Sequence, residues 1–173
     1  MKIVKIPYTP RPQQRMLHET LSKYRFSVIV MHRRAGKTVW AINHLIKLAL
    51  TSGKKNFRGA FFSPTRVQSK LIGWDYLKEF SRVIPGMKFN ETELRADFPN
   101  GARITLFGAE NPDASRGQFF DQVVCDEYAQ MDARMFAEII RPAIADRLGS
   151  CTFIGTPAGM GNNFYDLFEE AKS

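Results

Sequence analysis

The chain has 173 residues, 44% hydrophobic and 12% aromatic, which is enough to bury a core and excludes a disordered or fibrous class. Its formal net charge of +8 is unevenly divided, with 18 Lys and Arg against 3 Asp and Glu in residues 1–88, and 7 against 14 in residues 89–173. No apolar run is long enough to cross a bilayer, the proline-interrupted start "MKIVKIPYTPRPQQ" does not read as a secretory signal, and two distant cysteines make neither a disulfide framework nor a zinc site.

The elements follow in chain order. "FSVIVM" (26–31) is a short β-branched run, expected as a buried parallel strand. Apolar spacing in the next segment predicts a helix over 37–51, with Gly53 as its C-cap. "RGAFFSP" (58–64) is a second buried strand, and residues 65–84 form an amphipathic helix closed by Pro85-Gly86. Residues 87–109 change to an antiparallel pattern that turns at Asn100-Gly101. "QVVCDE" (122–127) is another buried strand, and 133–147 a helix interrupted near Pro142. "SCTFIGTP" (150–157) is the last strand, and 162–172 a helix capped by Asn162 or Asn163. Cys125 and Cys151 sit in apolar runs and are expected as small core residues, which suits a reducing, cytoplasmic compartment. The alternation predicts an α/β fold, a mostly parallel central sheet flanked by helices with one inserted antiparallel β-hairpin.

The chemistry concentrates in "MHRRAGKTVW" (31–40). Gly36-Lys37-Thr38 ends a phosphate loop of the form G-x-x-x-x-G-K-[ST], although Met31 stands where the first glycine belongs. The loop leaves a strand and opens a helix, so backbone N–H groups along Arg33, Arg34, Ala35 and Gly36 and the helix dipole face one anion. Lys37 would pair with the β- and γ-phosphates of a nucleotide, and Thr38 would place its hydroxyl on Mg²⁺; an ordinary surface lysine is the competing reading. "VVCDEY" puts Asp126 and Glu127 at a strand tip. Phosphoryl transfer to water needs one carboxylate for the metal and one for the water, so Asp126 is assigned the first role and Glu127 the second. A solvated strand end is the alternative. Arg33 or Arg34 could reach the phosphates within the same chain and stabilise the charge that develops there. The basic first half points to a polyanionic partner, DNA or RNA more than a membrane, with a solvated basic face as the alternative.

These segments together resemble the large subunit of the tailed-phage terminase, the DNA-packaging motor. "RPQQRML" (11–17) resembles its adenine-contacting motif, with Gln14 as the amide that reads the base and Gln13 beside it as the alternative. "HRRAGKT" (32–38) resembles its variant phosphate loop, in which the arginine four residues before the lysine, Arg33, is a family feature. "SPTRVQ" (63–68) is similar to a motif shared with RecA-fold helicases. "NPDASRGQFFDQVVCDE" (111–127) is similar to the approach to the acidic pair, with Arg116 where some members carry a finger reaching a neighbouring subunit's nucleotide. "IGTPAGMGNNFYDLF" (154–168) resembles the coupling motif, with Thr156 as a γ-phosphate sensor.

The resemblance implies a RecA-like ASCE P-loop NTPase that hydrolyses ATP with Mg²⁺ to move double-stranded DNA into a procapsid in the host-cell cytoplasm. It also implies a portal protein and a small terminase subunit as partners, and a homo-oligomeric ring on the procapsid, with a monomer in isolation as the alternative. Large terminases continue into a nuclease, so residues 1–173 are expected to act as one ATPase domain, with no nuclease activity and an incomplete lid subdomain. Arg116 has a structural rival role, pinning its loop to Asp113 or Asp121. Thr156 could be only a strand-end turn. His32 and His44 are read as structural or solvated, Trp40 and Trp74 as core, and Lys54, Lys55 and Arg58 as a solvated loop more than a DNA contact. Two other functions remain open: a RecA-fold helicase fragment, and a nucleotide-gated DNA-binding module that does not hydrolyse, against which Glu127 argues.

Overall fold

The structure is a computed structural model, and it describes residues 4–172; the first three residues of the proline-interrupted start lie outside them. Seven strands form one sheet: β1 (Phe26–Val30), β2 (Arg58–Ser63), β3 (Lys88–Asn90), β4 (Arg95–Asp97), β5 (Arg103–Gly108), β6 (Gln122–Asp126) and β7 (Ser150–Gly155). Their order is β1-β7-β6-β2-β5-β4-β3, parallel from β1 to β5 and antiparallel over β4 and β3. This is the mostly parallel α/β sheet with an inserted hairpin that the alternation predicts. The hairpin turns at Gly101 in a left-handed conformation (φ 84°).

The strands are apolar on both faces because helices cover both. Neighbouring residues alternate sides: Phe61, Val124 and Ile154 face one core layer, Phe62, Val123 and Phe153 the other. The first layer is closed by helices α1 (Pro12–Thr20) and α2 (Lys37–Thr51) and by α3, which is α-helical at Arg66–Gln68, widens to a π-helix at Ser69–Trp74 and is α-helical again at Asp75–Ser81. Trp40 and Trp74 are fully buried there. A Cβ on Gly73 would meet Leu106 Cδ2 at 2.9 Å, so the wide turn presses directly on the sheet. The second layer is closed by α4, a π-helix at Met135–Ile140 that becomes α-helical at Arg141–Ala145, and by α5 (Asn163–Glu170). Pro142 falls just past that joint, where a missing N–H is tolerated. Asn162, not Asn163, caps α5, accepting from the N–H groups of Phe164 and Tyr165. Cys125 and Cys151 are buried in this layer.

The basic stretch after α2 is not a free loop. Asp121 is buried and accepts from Lys54 Nζ (3.1 Å), Arg147 Nε (2.9 Å) and the Arg58 N–H (2.8 Å). The Arg58 guanidinium is spent on the carbonyls of Asn56, Phe57 and Gly101. Lys54 and Arg58 therefore tie the amino ends of β2 and β6 together, which corrects the solvated-loop expectation for these two residues.

Candidate active site

Strands β1, β7 and β6 lie side by side in register, Val30 next to Gly155 and Ile154 next to Asp126. Their carboxyl ends therefore share one edge, and each delivers a different turn there. β1 delivers residues 31–36, β6 delivers Glu127, and β7 delivers Thr156. One strand, β7, intervenes between the phosphate loop's strand and the acidic pair's strand.

The loop contains two left-handed residues, Arg34 (φ 63°) and Gly36 (φ 80°), and turns on a hydrogen bond from the Ala35 N–H to the His32 carbonyl (3.3 Å). It ends at Lys37, the first residue of α2, which is buried. Lys37 Nζ donates to Thr156 Oγ1 at 3.0 Å and to the His32 carbonyl at 3.4 Å, and lies 3.5 Å from Glu127 Oε1. The Thr156 hydroxyl donates in turn to Glu127 Oε1 at 3.2 Å. Three residues from three turns thus meet in one hydrogen-bonded group.

A second group adjoins it. The Thr38 hydroxyl donates to Asp126 Oδ2 at 2.6 Å, and the Glu127 N–H donates to Oδ1 at 3.1 Å. Burial pushes the Asp126 carboxyl above the usual carboxylate range; the Thr38 hydrogen bond opposes that shift, and the neighbouring Glu127 charge adds to it. A buried carboxylate beside a hydroxyl suits a small hard cation that takes one or two protein oxygens and keeps its waters. The donor set of Thr38 and Asp126 therefore fits the chemistry of Mg²⁺. Glu127 is left-handed (φ 52°, ψ 46°), a conformation that costs a non-glycine residue about 1–2 kcal/mol. This breaks the strand's alternation, so Asp126 meets Thr38 while Glu127 meets Lys37 and Thr156. Thr38, Asp126 and Glu127 line a cavity of about 130 Å³ together with Ser63 and Gln68.

The remaining predicted residues lie around this centre. The Arg33 and Arg34 side chains are exposed on the loop. Gln14 is 3% exposed beneath the loop, its Nε2 donating to the Gly36 carbonyl at 2.9 Å and its Oε1 accepting from the Arg11 N–H at 2.9 Å. Arg116 is not in the group: its guanidinium pairs with Asp113, and it lines a separate cleft of about 700 Å³ with Pro64, Glu110, Met131 and Glu138. Two contributors went unnoticed in the sequence. Arg11 donates from Nη1 to the Arg34 carbonyl at 3.2 Å, and Asn163 donates to the carbonyls of Tyr128 (3.3 Å) and Met131 (3.0 Å), fixing the turn after Glu127 against α5. The Pro12 that starts α1 was the available signal for the first; nothing local marks the second.

Comparison with known proteins adds the lineage. The family profile described as "Terminase large subunit, T4likevirus-type, N-terminal" matches residues 28–172. The chain belongs to the terminase large subunit family. A curated relative from Thermus virus P23-45, named "Terminase, large subunit", is 25% identical over 93% of this chain, which spans 36% of that relative's length. The large terminase ATPase domain of Thermus phage P74-26 superposes with a TM-score of 0.79 at 22% identity, covering 94% of this chain and 70% of that one. The HK97 bacteriophage large terminase superposes at 0.80 with 14% identity over 96% of this chain and 37% of its own. The large terminase of a thermophilic bacteriophage has a structure in complex with ATP-gamma-S, and there the TM-score is 0.64 at 14% identity, over 84% and 38% of the two chains. These terminases share the RecA-like fold of the present sheet.

Proposed function

We propose that residues 1–173 form a magnesium-dependent ATPase unit whose turnover drives double-stranded DNA into a procapsid. The observation that carries this is the Lys37–Thr156–Glu127 group, closed at 3.0 to 3.5 Å, beside the 2.6 Å Thr38–Asp126 pair. Bound Mg²⁺, held by Thr38 and Asp126, would neutralise phosphate charge. Lys37 supplies a buried cation for the terminal phosphates, and the loop N–H groups and the α2 dipole add to it. Glu127 accepts a proton from the attacking water and orients it. Thr156 bonds both Lys37 and Glu127, so a change in either is felt at the end of β7. Arg33 stabilises developing charge from its own loop. Arg116, paired on a separate cleft, serves the nucleotide of a neighbouring protomer in a ring assembled on the procapsid. Ala35 and Gly36 contribute backbone, and Gln14 belongs to the site through the loop it holds. Movement along DNA calls for phosphate contacts more than base readout, so affinity for DNA falls with salt and shows little sequence preference. The portal protein and small terminase subunit are the protein partners, and the host-cell cytoplasm the setting. No nuclease step is assigned to these residues.

The test is ATP hydrolysis per protomer against protein concentration, with Mg²⁺, for wild type and Arg116→Ala. A rate that rises with concentration and is lost in the variant supports shared sites. A rate that is flat and unchanged by the substitution removes Arg116 from the chemistry, and no hydrolysis under any assembly condition leaves a non-hydrolysing module.

A further inference from the structure

The apolar run of β2 ends on a hydroxyl, Ser63, which is 5% exposed, and α3 brings up a second, Ser69, which is fully buried. Ser69 Oγ lies 2.7 Å from the Phe107 carbonyl and 3.0 Å from Ser63 Oγ. A carbonyl can only accept, and a hydroxyl has one proton to give. The Ser69 proton therefore goes to Phe107, and the Ser63 proton goes to Ser69. Ser69 alone ties α3 to β5. The Ser63 oxygen is left with its lone pairs unused among the described residues.

Register places that oxygen beside the acidic pair. Phe62 is opposite Cys125 in the parallel ladder of β2 and β6, so the next residues, Ser63 and Asp126, are neighbours on one face of the sheet. Adjacent strands lie about 4.8 Å apart. Both residues line the cavity of about 130 Å³ at the carboxyl edge, which has room for several waters. Ile72 and Gly73, from the π-helical turn of α3, form another wall. Thr38 spends its proton on Asp126. Gln68 is exposed and caps α3, its Oε1 taken by the Thr65 N–H at 3.2 Å. The buried polar walls are thus Ser63 and Asp126, both acceptors, with Glu127 beside them. Acceptors repel a phosphate oxygen and suit water that has hydrogens to give. Water in the shell of a divalent cation is such a donor, and Mg²⁺ keeps several of its waters in a protein site.

We propose that Ser63 is a positioning residue for the cation, its oxygen accepting a hydrogen from a water of the hydration shell and not touching the metal. This rests on the magnesium reading above and extends the site to β2. Ser69 is part of the device: by taking the Ser63 proton it fixes Ser63 as an acceptor.

The experiment is calorimetric titration of the whole chain with ATP-gamma-S, in EDTA and over a series of Mg²⁺ concentrations, for wild type, Ser63→Ala and Ser63→Thr. Ser63→Ala raises the Mg²⁺ concentration needed for half the gain in nucleotide affinity by about tenfold, as loss of an outer partner does at other metal sites, and leaves the affinity in EDTA unchanged. Its fold is retained because Ser69 keeps the Phe107 carbonyl. Ser63→Thr keeps the hydroxyl and stays near wild type. An unchanged Mg²⁺ requirement in Ser63→Ala would overturn the proposal. Affinity lost equally with and without Mg²⁺ would overturn it too, since that marks a disturbed pocket. Wild-type affinity indifferent to Mg²⁺ would instead overturn the magnesium reading itself, and the role of Ser63 with it.

Discussion

Acid should loosen the attachment of α1 before it affects the rest of the fold. His18 on α1 and His44 on α2 face each other with their Nδ1 atoms 3.4 Å apart, His44 stacked on Trp40 and His18 bonded to the Tyr8 hydroxyl at 3.1 Å. Burial, with Lys47 nearby, lowers His18 from 6.5 to about 4; burial, then His18 and Lys47, lowers His44 to about 3. Both folded-state values lie below the unfolded value, so the folded form binds fewer protons. Their contribution is intact above pH 6.5 and is lost as pH falls toward 4. Each buried neutral imidazole removes about 1.36 kcal/mol per pH unit in that window, so two of them remove roughly 5 kcal/mol between pH 6.5 and 4.5, and about half that if one of the pair ionises in place. Such a loss is a large part of the roughly 5–15 kcal/mol that holds a domain folded. Urea unfolding at pH 7.5, 6.5, 5.5 and 4.5 measures it, comparing wild type with a His18→Gln, His44→Phe double variant that keeps the Tyr8 partner and the stack on Trp40. The variant should be nearly flat over this range. Equal pH slopes, or an imidazole NMR titration placing both buried histidines near 6.5, would refute the reasoning.

Three further outcomes are expected. Glu127→Gln should retain nucleotide binding and lose roughly 10²–10⁴ of turnover, read as phosphate release under saturating ATP; full turnover would remove Glu127 from the chemistry. Asp121→Ala should lower unfolding stability by about 1–3 kcal/mol, because it leaves the Arg58 N–H without its acceptor and Lys54 and Arg147 without their shared carboxylate, while ATP affinity stays at the wild-type value. Denaturant titration and calorimetry on one preparation separate the two effects. Gly155→Ala would bring a Cβ to 2.7 Å from the Phe164 ring, so a loss of about 1–3 kcal/mol together with slower hydrolysis is expected, and a variant as stable and active as wild type would contradict the packing.

The strands were legible because β2, β6 and β7 are short apolar runs between turn signals, and the helix after the loop because its apolar spacing is strong. Helix α1 was not, for a physical reason: its buried positions are Gln14 and His18, so hydrophobic periodicity has nothing to register. Its sequence showed a motif and hid the element that carries it. The π-helical stretches of α3 and α4 are set by how closely those helices approach the sheet, at Gly73 for one, and no local pattern encodes that. Asp121 was equally hidden, since its partners Lys54 and Arg147 lie 67 and 26 residues away. At the site, Lys37, Thr38, Asp126, Glu127 and Thr156 stood out as residue types in motifs. Their meeting in two hydrogen-bonded groups depends on β7 lying between β1 and β6, and on the left-handed backbone of Glu127.

The end of β7 has a mechanical side. Thr156 and α5 are joined twice: by residues 157–162, which include left-handed Gly159 and Gly161 with nothing within 4 Å of a Cβ at either, and by the ring of Phe164 resting on Gly155. The first path is a loop folded on itself, with Asn162 Nδ2 donating to the Gly159 carbonyl at 3.0 Å, and the second is a direct contact. A displacement of Thr156 along the strand would reach α5 most directly through the ring. Helix α5 would then tilt as a lever whose fulcrum is Asn163, bolted to the carbonyls of Tyr128 and Met131.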